Sequence, residues 1–216
     1  MSKSLAIIVS ALAALVGISA LVAHAPAMVL AERQRAWGQR IQVGDILFQD
    51  LDCGLRCSLI RDITHSRYTH VGIVLQDDGK LQVWEAFEPV GPVDLVDWVH
   101  RGIGERIALY RLRAPISHHL PQIANAVRSL RGRPYDPDYQ WDDDRIYCSE
   151  LIAKAVNQAE GTSIFAPRPI GVLGPHADLI KKMSHGRLTE ATEMVSPVDL
   201  VRSHQLERVV DELQPP

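Results

Sequence analysis

The chain has no block of basic residues. Its 23 Lys+Arg are scattered among 26 Asp+Glu for a formal charge of -3, so the electrostatic footprint of a nucleic-acid partner is missing. Nor is there an internal repeat, which argues against a solenoid or propeller. From Leu5 to Ala23 there is no charged residue, and no polar face interrupts the run as it would in a surface helix of a globular core. The run is long for a secretory h-region and just long enough to span a bilayer. With Lys3 ahead of it, residues 1–31 read as a signal peptide or an N-terminal membrane anchor. Cuts after Ala27 and after Ala31 both follow small residues, whereas a cut after Ala25 would place Pro26 at the scissile bond. No cysteine follows the run, which excludes lipoprotein processing. The expected location is outside the cytoplasm, either periplasmic or tethered to the membrane through residues 5–23.

Residues 32–216 are enough for one well-buried catalytic domain and too few for two. Their pattern is α+β. Gly44-Asp45 is a turn signal leading into the buried strand Ile46–Gln49. Leu55, Leu59 and Ile60 have helical spacing. Strand-like runs at 68–76 and 81–86 flank Asp77-Asp78-Gly79-Lys80, a hairpin turn, and residues 107–112 alternate as a fourth strand. Leu120, Ile123, Ala124, Val127 and Leu130 share one face of a helix ending near Gly132. A further helix opens at Cys148 and stops near Gly161. Residues 162–195 are rich in Pro and Gly and read as an irregular excursion with one helix near 176–183. Ser196-Pro197 caps a last helix. The expected architecture is a central antiparallel sheet flanked by helices.

Three residues carry chemistry. Cys148 stands where an acidic, aromatic loop gives way to an amphipathic helix, and free N–H groups with the helix dipole stabilise a thiolate there. His70 opens an apolar strand, and Glu85 interrupts another between Trp84 and Ala86, where a carboxylate must face water or find a partner. A thiol, an imidazole and a carboxylate are a nucleophile, its base and the base's orienting group. Glu88 is the rival carboxylate.

The segments GDILF, THVGIV, VWEA and YCSELI together resemble the NlpC-type peptidase superfamily in circularly permuted form, with the Cys-bearing helix moved to the end. GDILFQDLDCGLRC, GRPYD at 132–136 and SPVDL are similar to segments of the permuted papain-like amidase group related to YiiX and YaeF. The resemblance spans about residues 44–205. It implies a permuted papain-like fold, Cys148 as nucleophile, His70 as base, Glu85 as third member, and acyl transfer through a thioester without a cofactor. The Cys148 backbone N–H is an expected oxyanion donor. Tyr147, Tyr68, Gln49 and Tyr135 are the candidates for lining the substrate pocket, with plain core packing as the competing reading of each aromatic.

Expected substrates are an amide bond in cell-wall peptides or, alternatively, a lipid acyl group as in the lecithin–retinol acyltransferase relatives. A non-catalytic cell-wall binding module is the third reading. A zinc set of Cys53, Cys57, His65 and His70 can be written, but it lacks the second defined ligand pair usual in such sites. His118, His119, His176 and His185 read as surface residues. In an exported protein, three cysteines suggest one Cys53–Cys57 disulfide and a free Cys148, with two packed free thiols as the alternative. Such a bridge requires Cys53 to lie outside the helix that follows it.

Overall fold

The computed structural model describes residues 32, 35, 37–171 and 173–214. The chain forms two compact units, residues 1–41 and 42–216. In the first, the described part is the close of a helix, where the Ile41 N–H bonds to the Trp37 carbonyl at 3.1 Å. The apolar run and both cleavage positions lie outside the described residues. Among the described residues no helix is long and apolar enough to cross a membrane.

The second unit is built on one six-stranded sheet. Its strands are β1 (Asp45–Leu51), β2 (His70–Asp77), β3 (Lys80–Ala86), β4 (Val90–Asp94), β5 (Gly102–Leu112) and β8 (Leu206–Asp211), in the order β4-β3-β2-β1-β5-β8. All neighbours are antiparallel. The β2–β3 hairpin closes through Asp78 and Gly79, with φ of 48° and 77°, the backbone that an Asp-Gly turn favours. Helix α1 (Leu55–Thr64) follows β1, and the six-residue α2 (Leu95–His100) joins β4 to β5. Helices α3 (Leu120–Ser129) and α4 (Cys148–Glu160) pack together against the sheet. Their buried faces meet Phe48, Val71, Ile73, Leu75, Trp84 and Ala86 in the main core. Glu85 alternates with Trp84 and Ala86, so it points to the sheet's other face, toward α2.

Residues 162–195 carry α5 (Ala177–Met183) and a two-stranded ribbon, β6 (Arg168–Pro169) with β7 (Glu193–Met194). Helix α6 (Pro197–Arg202) starts at Ser196, whose N–H and hydroxyl both donate to Asp199 Oδ2. Cys53 and Cys57 form a disulfide with a Cα–Cα distance of 5.2 Å. Cys53 lies outside α1, because Gly54 at φ 66° turns the chain before the helix begins.

Five elements go beyond the sequence reading: β4, α2, β8 and the two short strands of the β6–β7 ribbon. Both edge strands are weakly patterned, since β4 contains Gly91 and Pro92 and β8 reads LERVVD. At six residues α2 is too short to show helical periodicity.

Candidate active site

Cys148 is the first residue of α4, and the end of that helix is held from several sides. The Glu150 carboxylate accepts the Tyr147 N–H at 3.1 Å. The Tyr147 hydroxyl accepts the Val195 N–H at 3.1 Å, and the Ser149 hydroxyl donates to the Val195 carbonyl at 2.7 Å. Leu151, Ile152 and Val156 are buried in the main core, so the helix cannot slide without exposing them. The thiol is therefore presented by a fixed helix start, where the first N–H groups have no partner within the helix.

His70 opens β2 opposite Gln49 of β1. Thr69 pins the start of that strand, accepting the Leu51 N–H at 2.7 Å and donating its own N–H to the Gln49 carbonyl at 3.1 Å. The His70 ring is buried, with Nε2 2.6 Å from Glu85 Oε2. The Cys148 thiol is its other neighbour, close enough to act on the protonation of the ring. With Nε2 on Glu85, Nδ1 is the ring nitrogen left for the thiol. The structure thus brings Cys148, His70 and Glu85, residues drawn from three separate elements, together, with His70 bonded to Glu85.

Burial works against a charged imidazole here. The hydrogen bonds and charges of Cys148 and Glu85 outweigh it and raise the His70 pKa from 6.5 to about 9. Burial likewise works to raise the pKa of Glu85, but His70 and then Arg101 outweigh it and hold the carboxylate below its ordinary value. Glu85 accepts three bonds: His70 and Trp98 Nε1 (2.9 Å) on Oε2, and Arg101 on Oε1 at 2.6 Å. Trp98 and Arg101 lie beyond the sequence reading because they belong to the unpredicted α2 and the residue after it. The available signal is Glu85 itself, since a buried carboxylate needs donors and the DWVHR stretch supplies two. The rival carboxylate, Glu88, is exposed, and no hydrogen bond joins it to His70 among the described residues.

An apolar cleft of about 330 Å³ ends at Cys148, with Thr69 and Ser149 beside it. One wall is α1, through Leu59, Ile60 and Ile63. The other is the 162–195 segment, through Ile170, Leu173, Ile180 and Met183. Arg187 of that segment is paired with Asp138 of the loop before Cys148 at 2.8 Å. The segment read from sequence as an irregular excursion is thus a wall of the cleft, and His185 lies in it too.

None of the four residues expected to line the pocket is among those that line this cleft. Tyr68 stacks on Phe48 and Tyr110 in the core and donates to Asp211 Oδ2 at 2.5 Å. Tyr147 is buried edge-on against Tyr139. Gln49 is fully buried in β1, and Tyr135 pairs with Ile146 under the Arg56 guanidinium. Burial claims Tyr68 and Tyr147 while Tyr135 is half-buried, and Tyr139 and Arg56 border the cleft in their place. The zinc set is not assembled, since the disulfide engages both of its cysteines.

A thiol at a helix start, beside a buried imidazole that a carboxylate holds, is the arrangement of a cysteine hydrolase site, here on a sheet whose first five strands all precede the Cys-bearing helix. Residues 40–210 match the family described as permuted papain-like amidase enzyme, YaeF/YiiX, C92 family, and the chain belongs to that family. It is accordingly a cysteine-type amidase or peptidase-like hydrolase. The uncharacterized protein YiiX of Escherichia coli (strain K12) is 29% identical over 182 residues, which are 82% of this chain and 90% of that protein. The crystal structure of metalloprotein yiiX from Escherichia coli O157:H7 superposes with a TM-score of 0.72 at 29% identity, covering 80% of this chain and 98% of that one.

Glu85→Gln is expected to lower kcat on the order of a hundredfold, less than loss of the nucleophile, because the amide still bonds to the imidazole but no longer offsets its charge. Steady-state rates of Glu85→Gln and Glu88→Gln side by side check this. A fully active Glu85 variant beside an inactive Glu88 variant would reverse the assignment.

Proposed function

We propose that Cys148, His70 and Glu85 are the catalytic triad of an exported hydrolase that forms a thioester acyl-enzyme. His70 takes the thiol proton through Nδ1, Cys148 Sγ attacks the carbonyl carbon, and the tetrahedral oxyanion faces the Cys148 backbone N–H. The imidazolium then donates its proton to the departing amine or alcohol. Water, deprotonated by the same imidazole, releases the acid and restores the thiol. The observation that carries this reading is the 2.6 Å contact between buried His70 and Glu85, together with a neighbouring Cys148 thiol at a helix start that lines an apolar cleft.

An amide in cell-wall peptides is the first substrate class, favoured by the amidase family and by the expected location outside the cytoplasm. The apolar walls of the cleft favour a second reading, an acyl chain on an amide or ester, which would lie between α1 and the 162–195 segment. The Escherichia coli O157:H7 relative is described as a metalloprotein. In the present chain, among the described residues, no group of three or more His, Cys, Asp or Glu side chains is placed to hold an ion. The steps above are written with protein groups and water.

Intact-protein mass spectrometry after brief incubation with muropeptides and, separately, with dispersed phospholipids tests both readings. An adduct on Cys148 with the mass of the peptidyl or the fatty acyl group identifies the class. Adducts that persist in Cys148→Ala would refute the mechanism.

A further inference from the structure

Glu85 is nearly sealed from water, and a carboxylate in that position requires more than its bond to His70. The remaining donors come from one short stretch. Trp98 Nε1 shares Oε2 with His70, and the Arg101 guanidinium reaches Oε1 at 2.6 Å. Arg101 is fixed from behind as well: its guanidinium carbon lies 4.8 Å from the centre of the Phe87 ring. Phe87 in turn stands edge-on to His70, with ring centroids 5.7 Å apart, and the Trp98 ring is tilted beside the imidazole at 6.1 Å. Arg101, Phe87 and Trp98 therefore enclose the His70–Glu85 pair, and Arg101 is the member with charge. Its side chain is 29% exposed, so it closes the side of Glu85 nearest solvent.

We propose that Arg101 is a positioning residue of the catalytic unit: seated on Oε1 and stacked on Phe87, it holds the Glu85 carboxylate in the rotamer that presents Oε2 to His70 and supplies the counter-charge that lets it remain ionised under the protein surface. The inference rests on the triad assigned above. The titratable and charged groups around the carboxylate are His70 from β2, Cys148 from α4 acting through His70, Arg101 after α2, and Glu88 and Arg131 across the depression beside the β3–β4 turn. Of these, His70 and Arg101 touch Glu85. The consequence follows from the sign of the interaction. Without the guanidinium, Glu85 takes up a proton at a higher pH, the imidazole loses its anchor there, and the acid limb of the activity profile moves upward.

The test compares wild type, Arg101→Met, Arg101→Lys and Cys148→Ala in two assays across pH: hydrolysis of p-nitrophenyl butyrate, and the rate of Cys148 alkylation by iodoacetamide, which requires no knowledge of the natural substrate. Arg101→Met should lower kcat about tenfold with KM changed less than about twofold, and shift the acid limb of both profiles up by about half a pH unit or more. Arg101→Lys, keeping the charge without the planar stack, should recover part of the shift. If Arg101→Met does not fold, the lysine variant decides by itself, since a shift in the same direction, though smaller, is still required of it. An unshifted profile in folded Arg101 variants beside an inactive Cys148→Ala overturns the inference alone. Turnover that survives Cys148→Ala overturns the triad and the inference together.

Discussion

Cys148→Ala should remain folded and lose turnover by about 10⁴-fold or more, the loss seen when a covalent nucleophile is removed while the rest of its site stays. The fold gives the reason for expecting the two effects to separate. Cys148 borders the main core, but the start of α4 is fixed by Glu150, Tyr147 and Ser149, none of which needs the thiol. The packing lost with one sulfur should cost about 1 kcal/mol of stability, read near pH 9 and above, where the His70 imidazolium no longer adds its interaction with Cys148. Thermal unfolding of the two proteins, alongside p-nitrophenyl ester hydrolysis, measures both quantities. A destabilisation of several kcal/mol, or residual turnover near the wild-type rate, would mark Cys148 as a packing residue.

The second large effect is expected at His70. His70→Ala should also abolish turnover, and the Cys148→Ala/His70→Ala double variant should be no slower than either single one, because the two act as a unit. The same residue predicts a stability signature. Its pKa is raised from 6.5 to about 9, so the imidazolium's interactions with Cys148 and Glu85 stabilise the fold in full below about pH 6.5 and are lost as pH rises through about 9. The stability difference between wild type and His70→Ala should accordingly shrink over that interval. Denaturant unfolding at several pH values gives the difference directly. A gap that widens toward pH 9 would contradict the assigned charge state.

Much of this site is legible in the sequence because its members sit where local chemistry is unusual. Cys148 marks a change from an acidic loop to a helix, and Glu85 is a charge inside an apolar alternation. Such residues stand out against the periodicity of their own element. The donors that complete the site do not. Trp98 and Arg101 belong to a helix of one and a half turns, and the residue after it, that follow an edge strand containing proline, and neither element announces itself. The pocket escapes the sequence for a related reason. Tyrosines beside His70 and Cys148 in sequence look suited to contacting a substrate, yet Tyr68 and Tyr147 bury their rings and find partners within the protein, as large aromatics do when the core is within reach. The walls of the cleft come from Leu59, Ile63, Leu173 and Ile180, whose convergence depends on how the 162–195 segment folds back over α1. No local pattern encodes that return.

The Cys53–Cys57 bridge has a consequence for how the protein can be studied as a reagent. With those two sulfurs joined, Cys148 is the one free thiol in the chain. Under non-reducing conditions an alkylating fluorophore or an affinity handle has a single address, and the fraction labelled counts competent sites in a preparation. A reducing agent added to protect the Cys148 thiol works against this, because it opens two further addresses at the helix that walls the cleft. The choice of buffer therefore decides whether a labelling experiment reports on one sulfur or on three.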